Sequence, residues 1–295
     1  MKKVVALGFF DGVHLGHGAL LKRTAQVARS QGLTPAALTF DRHPGSVVTG
    51  HSVPLLTTTA QRTALMERLY GIEAVIVLPC DGGMLNTPWR DFVTHFLVER
   101  HQAAHLVAGA DFRFGRFGEG TADKLRALCA QLGLGCDIIP KVELEGRVVS
   151  STYIRELIGA GEIERANRFL GHPHCLTGRV EHGKRLGSRL GFPTVNLTPE
   201  PGVLVPAYGV YAAKVWAGPA CYTAVTNIGV RPTVDDGQSV TVESFLLDFD
   251  GDLYGQAIRL ELYHRLRPER RFGSLEELKA AVMENARQAR AYFEG

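Results

Sequence analysis

Apolar residues in the first half of the chain fall into short unbroken runs, separated by stretches in which they recur at helical spacing. The runs are Val4 to Phe10, Pro35 to Phe40, Ala74 to Leu78, His105 to Ala108 and Cys136 to Ile139. Continuous apolar runs of this length suit strands covered on both faces. Between them, Ala19 to Arg29, Thr58 to Tyr70, Trp89 to Arg100 and Lys124 to Leu132 are rich in good helix formers. Alternation of strand and helix predicts a parallel sheet with helices on both faces. Ligands bind such sheets beyond the carboxyl ends of the strands, where Asp11 to His17 would sit.

The pattern changes near residue 172. Helices over Ser151 to Ala160 and Glu162 to Leu170 lead to Gly171-His172-Pro173. Beyond it, LTGRV, YGVYAAKVW, YTAVTNIG, SVTVESFLLDF and AIRLELYHRL alternate as antiparallel strands do. Asp250-Gly251 reads as a hairpin turn between the last two. Ser274 and Glu277 form a capping box for a terminal helix whose apolar face is Leu275, Leu278, Val282, Ala286, Ala289 and Phe293. The second half is therefore expected to be a small antiparallel β-barrel with a C-terminal helix. No internal repeat or low-complexity segment interrupts either half.

Composition narrows the class. The chain has 295 residues, 45% hydrophobic and 21% charged, enough for two ordinary domains and unlike a disordered protein. A net charge of +3 is too mild to imply nucleic acid and suits small anionic substrates. Five cysteines, Cys80, Cys129, Cys136, Cys175 and Cys221, show no Cys-x-x-Cys spacing. That argues against a zinc site or disulfide framework and for a reducing cytoplasm. The opening apolar run is stopped by Asp11 and has no small-residue cleavage site after it. It is too short for a membrane span and a poor secretion signal.

Five stretches carry candidate chemistry. The first runs from Gly8 to His17 and holds Phe9, Asp11, Gly12, His14 and Gly16. Glycines at a helix start let a phosphate approach the backbone, and two histidines can donate to phosphoryl oxygens. It reads as a phosphate-handling turn, a plain tight turn with surface histidines, or, for want of a third ligand, more weakly as a metal site. No Walker-type glycine loop occurs. The second, Ser150 to Arg155, is either a phosphate site built on Ser151, Thr152 and Arg155 or an ordinary helix cap.

The third stretch, Gly109 to Gly115, puts Asp111 at the end of a buried run. The fourth alternates glycine with basic residues from Gly183 to Gly191 and includes Lys184 and Gly187. It is a phosphate cradle or a basic loop. Thr194 and Asn196 follow two apart, so in an extended chain they share a face and can offer oxygen to a hard cation. The fifth is Glu243, on one strand face with Phe245, Leu247 and Phe249. Poor solvation beside an apolar stripe suits a general base, although a strand-end glutamate in water fits the pattern as well.

Taken in order, these segments resemble the bifunctional prokaryotic riboflavin kinase/FAD synthetase family over nearly the whole chain. G-x-F-D-G-x-H-x-G-H at Gly8 to His17 and S-S-T-x-I-R at Ser150 to Arg155 are similar to the motifs of Rossmann-like nucleotidylyltransferases. G-x-D-F-x-F-G at Gly109 to Gly115 resembles the FAD synthetase branch. G-F-P-T-x-N at Gly191 to Asn196, Asn227 to Thr233, and Glu243 with Leu247-Asp248-Phe249 resemble the riboflavin kinase barrel.

The resemblance implies an α/β plus β fold: a Rossmann-like adenylyltransferase domain over 1–171 and a riboflavin kinase barrel over 172–295. It implies two ATP-dependent reactions in the cytoplasm, riboflavin to FMN in the barrel and FMN to FAD with release of pyrophosphate in the first domain, with Mg2+ accompanying ATP. It implies Glu243, His14 and His17 as catalytic and Thr194 and Asn196 as placing the metal. Gly8, Phe9, Asp11, Gly16, Ser151, Thr152, Arg155, Gly183, Lys184, Gly187 and Gly191 would hold nucleotide. Phe40, His43, Asp111, Arg267 and Glu269 would lie near flavin. Phe9 stands where asparagine is common in the family, and Arg42 where a proline usually precedes the His-Pro pair.

Overall fold

The computed structural model describes residues 1–181, 194–232 and 238–295. The chain separates into two compact units, Met1–Ser151 and Thr152–Gly295.

The first unit is built on five parallel strands, β1 (Lys3–Leu7), β2 (Thr34–Phe40), β3 (Ala74–Leu78), β4 (Ala103–Gly109) and β5 (Gly135–Ile139), in the order β3-β2-β1-β4-β5. The apolar runs explain the burial. Val5, Leu7, Leu38, Leu106 and Ala108 pack into one core with Phe92, Leu97 and Leu125, while Val4, Ala6, Ala37 and Val107 face the other way onto Leu21, Leu65 and Met66. Successive residues thus serve opposite faces, and both are covered. The order reverses between β1 and β4, which opens a crevice at their carboxyl ends.

Three local features differ from the pattern reading. Strand β1 stops at Leu7, because Phe10 takes a left-handed conformation with φ 58°. Helix α1 (Leu15–Gln31) begins four residues earlier than its formers suggest, since the His14 side chain caps it by accepting from His17 N. Elements that go unpredicted include helix α2 (Pro44–Thr49) and a hairpin of β6 (Glu143–Leu144) and β7 (Arg147–Val148) turning through Glu145 and Gly146, both at positive φ. Helix α3 (Thr59–Tyr70) has the capping box Thr58/Gln61.

The second unit holds a closed antiparallel barrel. Its strands are β8 (His174–Glu181), β9 (Thr194–Leu197), β10 (Gly209–Ala217), β11 (Ala220–Pro232), β12 (Gln238–Leu246) and β13 (Ala257–Pro268), in the order β10-β11-β12-β9-β8-β13. The Asp250-Gly251 hairpin is not formed. Strand β12 pairs with β9 and β11, and β13 pairs with β8 and β10, so barrel closure sends the two flanking strands to different neighbours. The terminal helix Leu275–Glu294 lies on the outside, where Ala286 and Ala289 pack on Val210, Ala212 and Val225. Ser274 caps it as expected, but the Glu277 carboxylate accepts from Gly273 N, so the reciprocal half of the capping box is not formed.

Candidate active sites

At the crevice of the first unit, the chain leaves β1 through a strained turn. Phe10 and Val13 both have positive φ, at 58° and 43°, a conformation that costs bulky residues on the order of 1–3 kcal/mol each. Several contacts hold the turn in place. The Phe10 ring is fully buried, Gly12 N donates to Thr57 Oγ1 at 3.0 Å, and Ser151 Oγ donates to the Asp11 carbonyl at 2.9 Å. Asp11 is also part of this bracing. Its buried carboxylate accepts from the amides of Leu56 and Thr57 at 3.0 and 3.1 Å, and it does not line the cavity beside it.

That cavity, about 840 Å³, opens at the ends of β1, β4 and β5. Gly8, Phe9, His14, Gly16, His17, His43, Asp111 and Ser151 all reach it, so most of the predicted residues converge. The His14 and His17 rings stack, with centroids 3.6 Å apart. Gly16 permits this arrangement, because a Cβ there would stand 3.1 Å from the His14 ring. Since His14 Nδ1 accepts the His17 amide, its proton in the neutral ring is on Nε2. His17 is held well below the ordinary histidine pKa of 6.5, first by burial, then by His14 and Arg62. It is therefore neutral at pH 7, and its buried Nδ1 has no partner among the described residues.

His43 caps α2 through Nδ1 and sets its ring edge-on to Phe9 at 5.0 Å. Phe40 packs into the sheet core and does not line the cavity. Asp111 is exposed and pairs with Lys141 at 3.3 Å. Lys141 and Arg113 add positive charge to the wall. The sequence reading passed over both, though a search for cations just after β4 and β5 would have found them. Thr152 and Arg155 continue the helix Ser151–Ala160 from Ser151.

In the barrel, period-two spacing works as expected. Thr194 and Asn196 share a face, while Val195 and Leu197 are buried on the other. Across the strands, Glu243 is directly opposite Asn196 on β9 and Asn227 on β11, and Phe245 is opposite Thr194. A polar row Asn196–Glu243–Asn227 is therefore set across three strands. A cavity of about 210 Å³ is lined by Thr194, Asn227, Glu243, Phe245, Arg267 and Glu269, with Phe272, Leu278 and Val282 as apolar cover.

Asn285 of the terminal helix holds Arg267 Nε at 3.1 Å. Glu269 sits so close to Gly229 that any Cβ at that position would overlap its carboxylate. Leu247 and Phe249 lie beyond the end of β12. Gly183, Lys184, Gly187 and Gly191 lie outside the described residues. Among the described residues, no cluster of three or more His, Cys, Asp or Glu could hold a metal by itself. Thr194 and Asn196 nevertheless fit magnesium, which takes oxygen donors and needs few from protein when phosphates supply the rest.

The first unit thus carries a histidine-lined cavity at the switch point of a parallel sheet, and the barrel carries a second cavity bordered by a carboxylate. Residues 1–153 match the FAD synthetase family and residues 170–293 the riboflavin kinase family. A protein of Listeria monocytogenes named bifunctional riboflavin kinase/FMN adenylyltransferase is 36% identical over 99% of this chain and 93% of its own length. Similarly named proteins of Bacillus subtilis and Escherichia coli are 35% and 36% identical over 99% and 98% of this chain and 93% and 92% of theirs. A crystal structure from Streptococcus pneumoniae, titled a macrolide-efflux protein, superposes with a TM-score of 0.88 at 29% identity, covering 98% of this chain and 94% of that one. The chain belongs to the bifunctional riboflavin kinase/FMN adenylyltransferase family.

Proposed function

We infer that the chain makes FAD from riboflavin in two steps, one at each site. The likeness to the Streptococcus pneumoniae structure carries the fold, while two family matches and the curated relatives carry the activity. The observation that supports the division of labour best is the pair of separate cavities, one lined by His14 and His17 and the other by Glu243. The functional division is proposed at 171/172, so that the Ser151–Arg155 motif serves the first activity. The substrates are riboflavin, FMN and ATP, and the proposed location is the cytoplasm.

In the barrel, Glu243 takes the proton of the riboflavin 5′-hydroxyl as its oxygen bonds to the γ-phosphorus of ATP and the bond to the β-phosphate oxygen breaks. Asn196 and Asn227, directly opposite it, orient that carboxylate and the substrate. Arg267 and Glu269 hold the flavin end. Thr194 and Asn196 would hold Mg2+, which supplies charge neutralisation on the phosphates when bound. In the first unit, an FMN phosphate oxygen bonds to the α-phosphorus of a second ATP and pyrophosphate leaves. No base is required, because a phosphate monoester is already anionic at neutral pH. His14 and the neutral His17 donate hydrogen bonds to the α-phosphate as its charge builds. Ser151 holds the triphosphate, and His43 and Asp111 border the flavin.

Labelled ATP tests this reading. Label at the γ-phosphate is expected in FMN and carried on into FAD, and label at the α-phosphate in FAD alone. Label from the α-phosphate missing from every flavin product would overturn the second step.

A further inference from the structure

Arg62 belongs to no motif, yet it is the largest fully buried side chain among the described residues. In α3 it lies at helical spacing from the buried Leu65 and Met66, a face on which an arginine is unusual. Its Nη1 donates to the Phe9 carbonyl at 2.6 Å and to Thr39 Oγ1 at 2.9 Å, and Thr39 Oγ1 itself donates to the same carbonyl at 2.7 Å. The guanidinium carbon lies 4.3 Å from the centre of the Phe9 ring, which in turn packs at 78° to the His43 ring. The Nε of Arg62 is buried with no partner among the described residues. Burial lowers its pKa and nearby Asp11 raises it, but an arginine keeps its charge under such conditions.

This geometry has a direct consequence for the turn. No peptide in the described residues is cis, and in a trans peptide the carbonyl and the N–H point in opposite directions. Pinning the Phe9 carbonyl onto Arg62 and Thr39 therefore turns the Phe10 N–H away from the guanidinium, and Phe9 and Phe10 both line the cavity. A charge-assisted bond of 2.6 Å is among the stronger ways to fix a peptide plane. The same guanidinium holds the Phe9 ring, so one buried residue sets both an amide and an aromatic wall.

We propose that Arg62 is a positioning residue for the adenylyl transfer: it fixes the Phe9–Phe10 peptide so that its N–H faces the α-phosphate, and it keeps a buried positive charge behind that peptide. The proposal rests on the reading of the first cavity as the FMN adenylylation site. The charge of Arg62 reaches that cavity, since it is among the causes that push His17 down.

The test compares Arg62→Met, Arg62→Lys and Thr39→Val in the full-length protein, with FMN and ATP as substrates. Misaimed donors cost about 100-fold in rate. For Arg62→Met, kcat of FAD formation is expected to fall about 100-fold, while KM for FMN changes by less than about threefold. Arg62→Lys restores the charge and is expected to recover roughly tenfold of that loss, and Thr39→Val to lose roughly tenfold. FMN formation from riboflavin in the same samples reports that the protein is intact. Wild-type kcat in Arg62→Met overturns the proposal. If Arg62→Met does not fold, wild-type kcat in both other variants overturns it. A wild-type protein that makes no FAD would instead refute the site reading on which the proposal rests.

Discussion

His14 and His17 lie face to face, their ring centroids 3.6 Å apart and their planes 14° from parallel. Burial disfavours protonation of His17, and the neighbouring His14 adds to this. An anion placed beside them reverses the balance and raises the pKa of His17. Titration of its ring by NMR is expected to move upward when pyrophosphate is added. His17→Ala is expected to slow FAD formation about 100- to 1,000-fold while FMN formation is unchanged, as read by separating flavins over time.

The barrel site makes the opposite prediction. Glu243→Gln keeps the shape of the side chain but cannot accept the hydroxyl proton. Conversion of riboflavin to FMN should fall by about 100- to 10,000-fold, and conversion of supplied FMN to FAD should not change. Equal loss of both activities in a folded Glu243→Gln protein would contradict the assignment.

Asp11 separates a structural role from a binding role. Its carboxylate satisfies two buried amides, those of Leu56 and Thr57. Asp11→Ala strands both, which costs about 3 kcal/mol. Thermal unfolding of the first unit should shift down accordingly. A variant with unchanged melting and a raised KM for ATP alone would restore Asp11 as a nucleotide ligand.

His174 gives the second unit a pH dependence. It is buried, its Nε2 lies 3.2 Å from the Leu204 carbonyl, and burial lowers its pKa from 6.5 to about 4. Between these values the unfolded chain takes up a proton that the folded chain refuses. The stability this residue contributes is therefore complete above pH 6.5 and is lost as pH falls towards 4, by about 3 kcal/mol. Denaturant melts of His174→Gln at pH 7 and pH 4.5 should show a smaller drop than wild type.

The parallel sheet was legible because Val4 to Leu7 and its counterparts are apolar on both faces, a pattern that only two-sided burial explains. Thr194 with Asn196, and Glu243 with Phe245, were legible through their spacing of two. What escaped depends on partners far away in sequence. Asp250-Gly251 looks local, but closure of the barrel assigns its flanking strands elsewhere. The start of α1 was hidden because histidine is an unusual cap. Arg62 was hidden because only the folded chain brings Phe9 and Thr39 against it.

The most direct test of two sites in one chain is a time course of the purified protein with riboflavin, ATP and Mg2+, with flavins separated at each point. The account predicts that FMN appears first and is then converted to FAD. FMN that accumulates with no FAD formed, even when FMN is supplied directly, would contradict it.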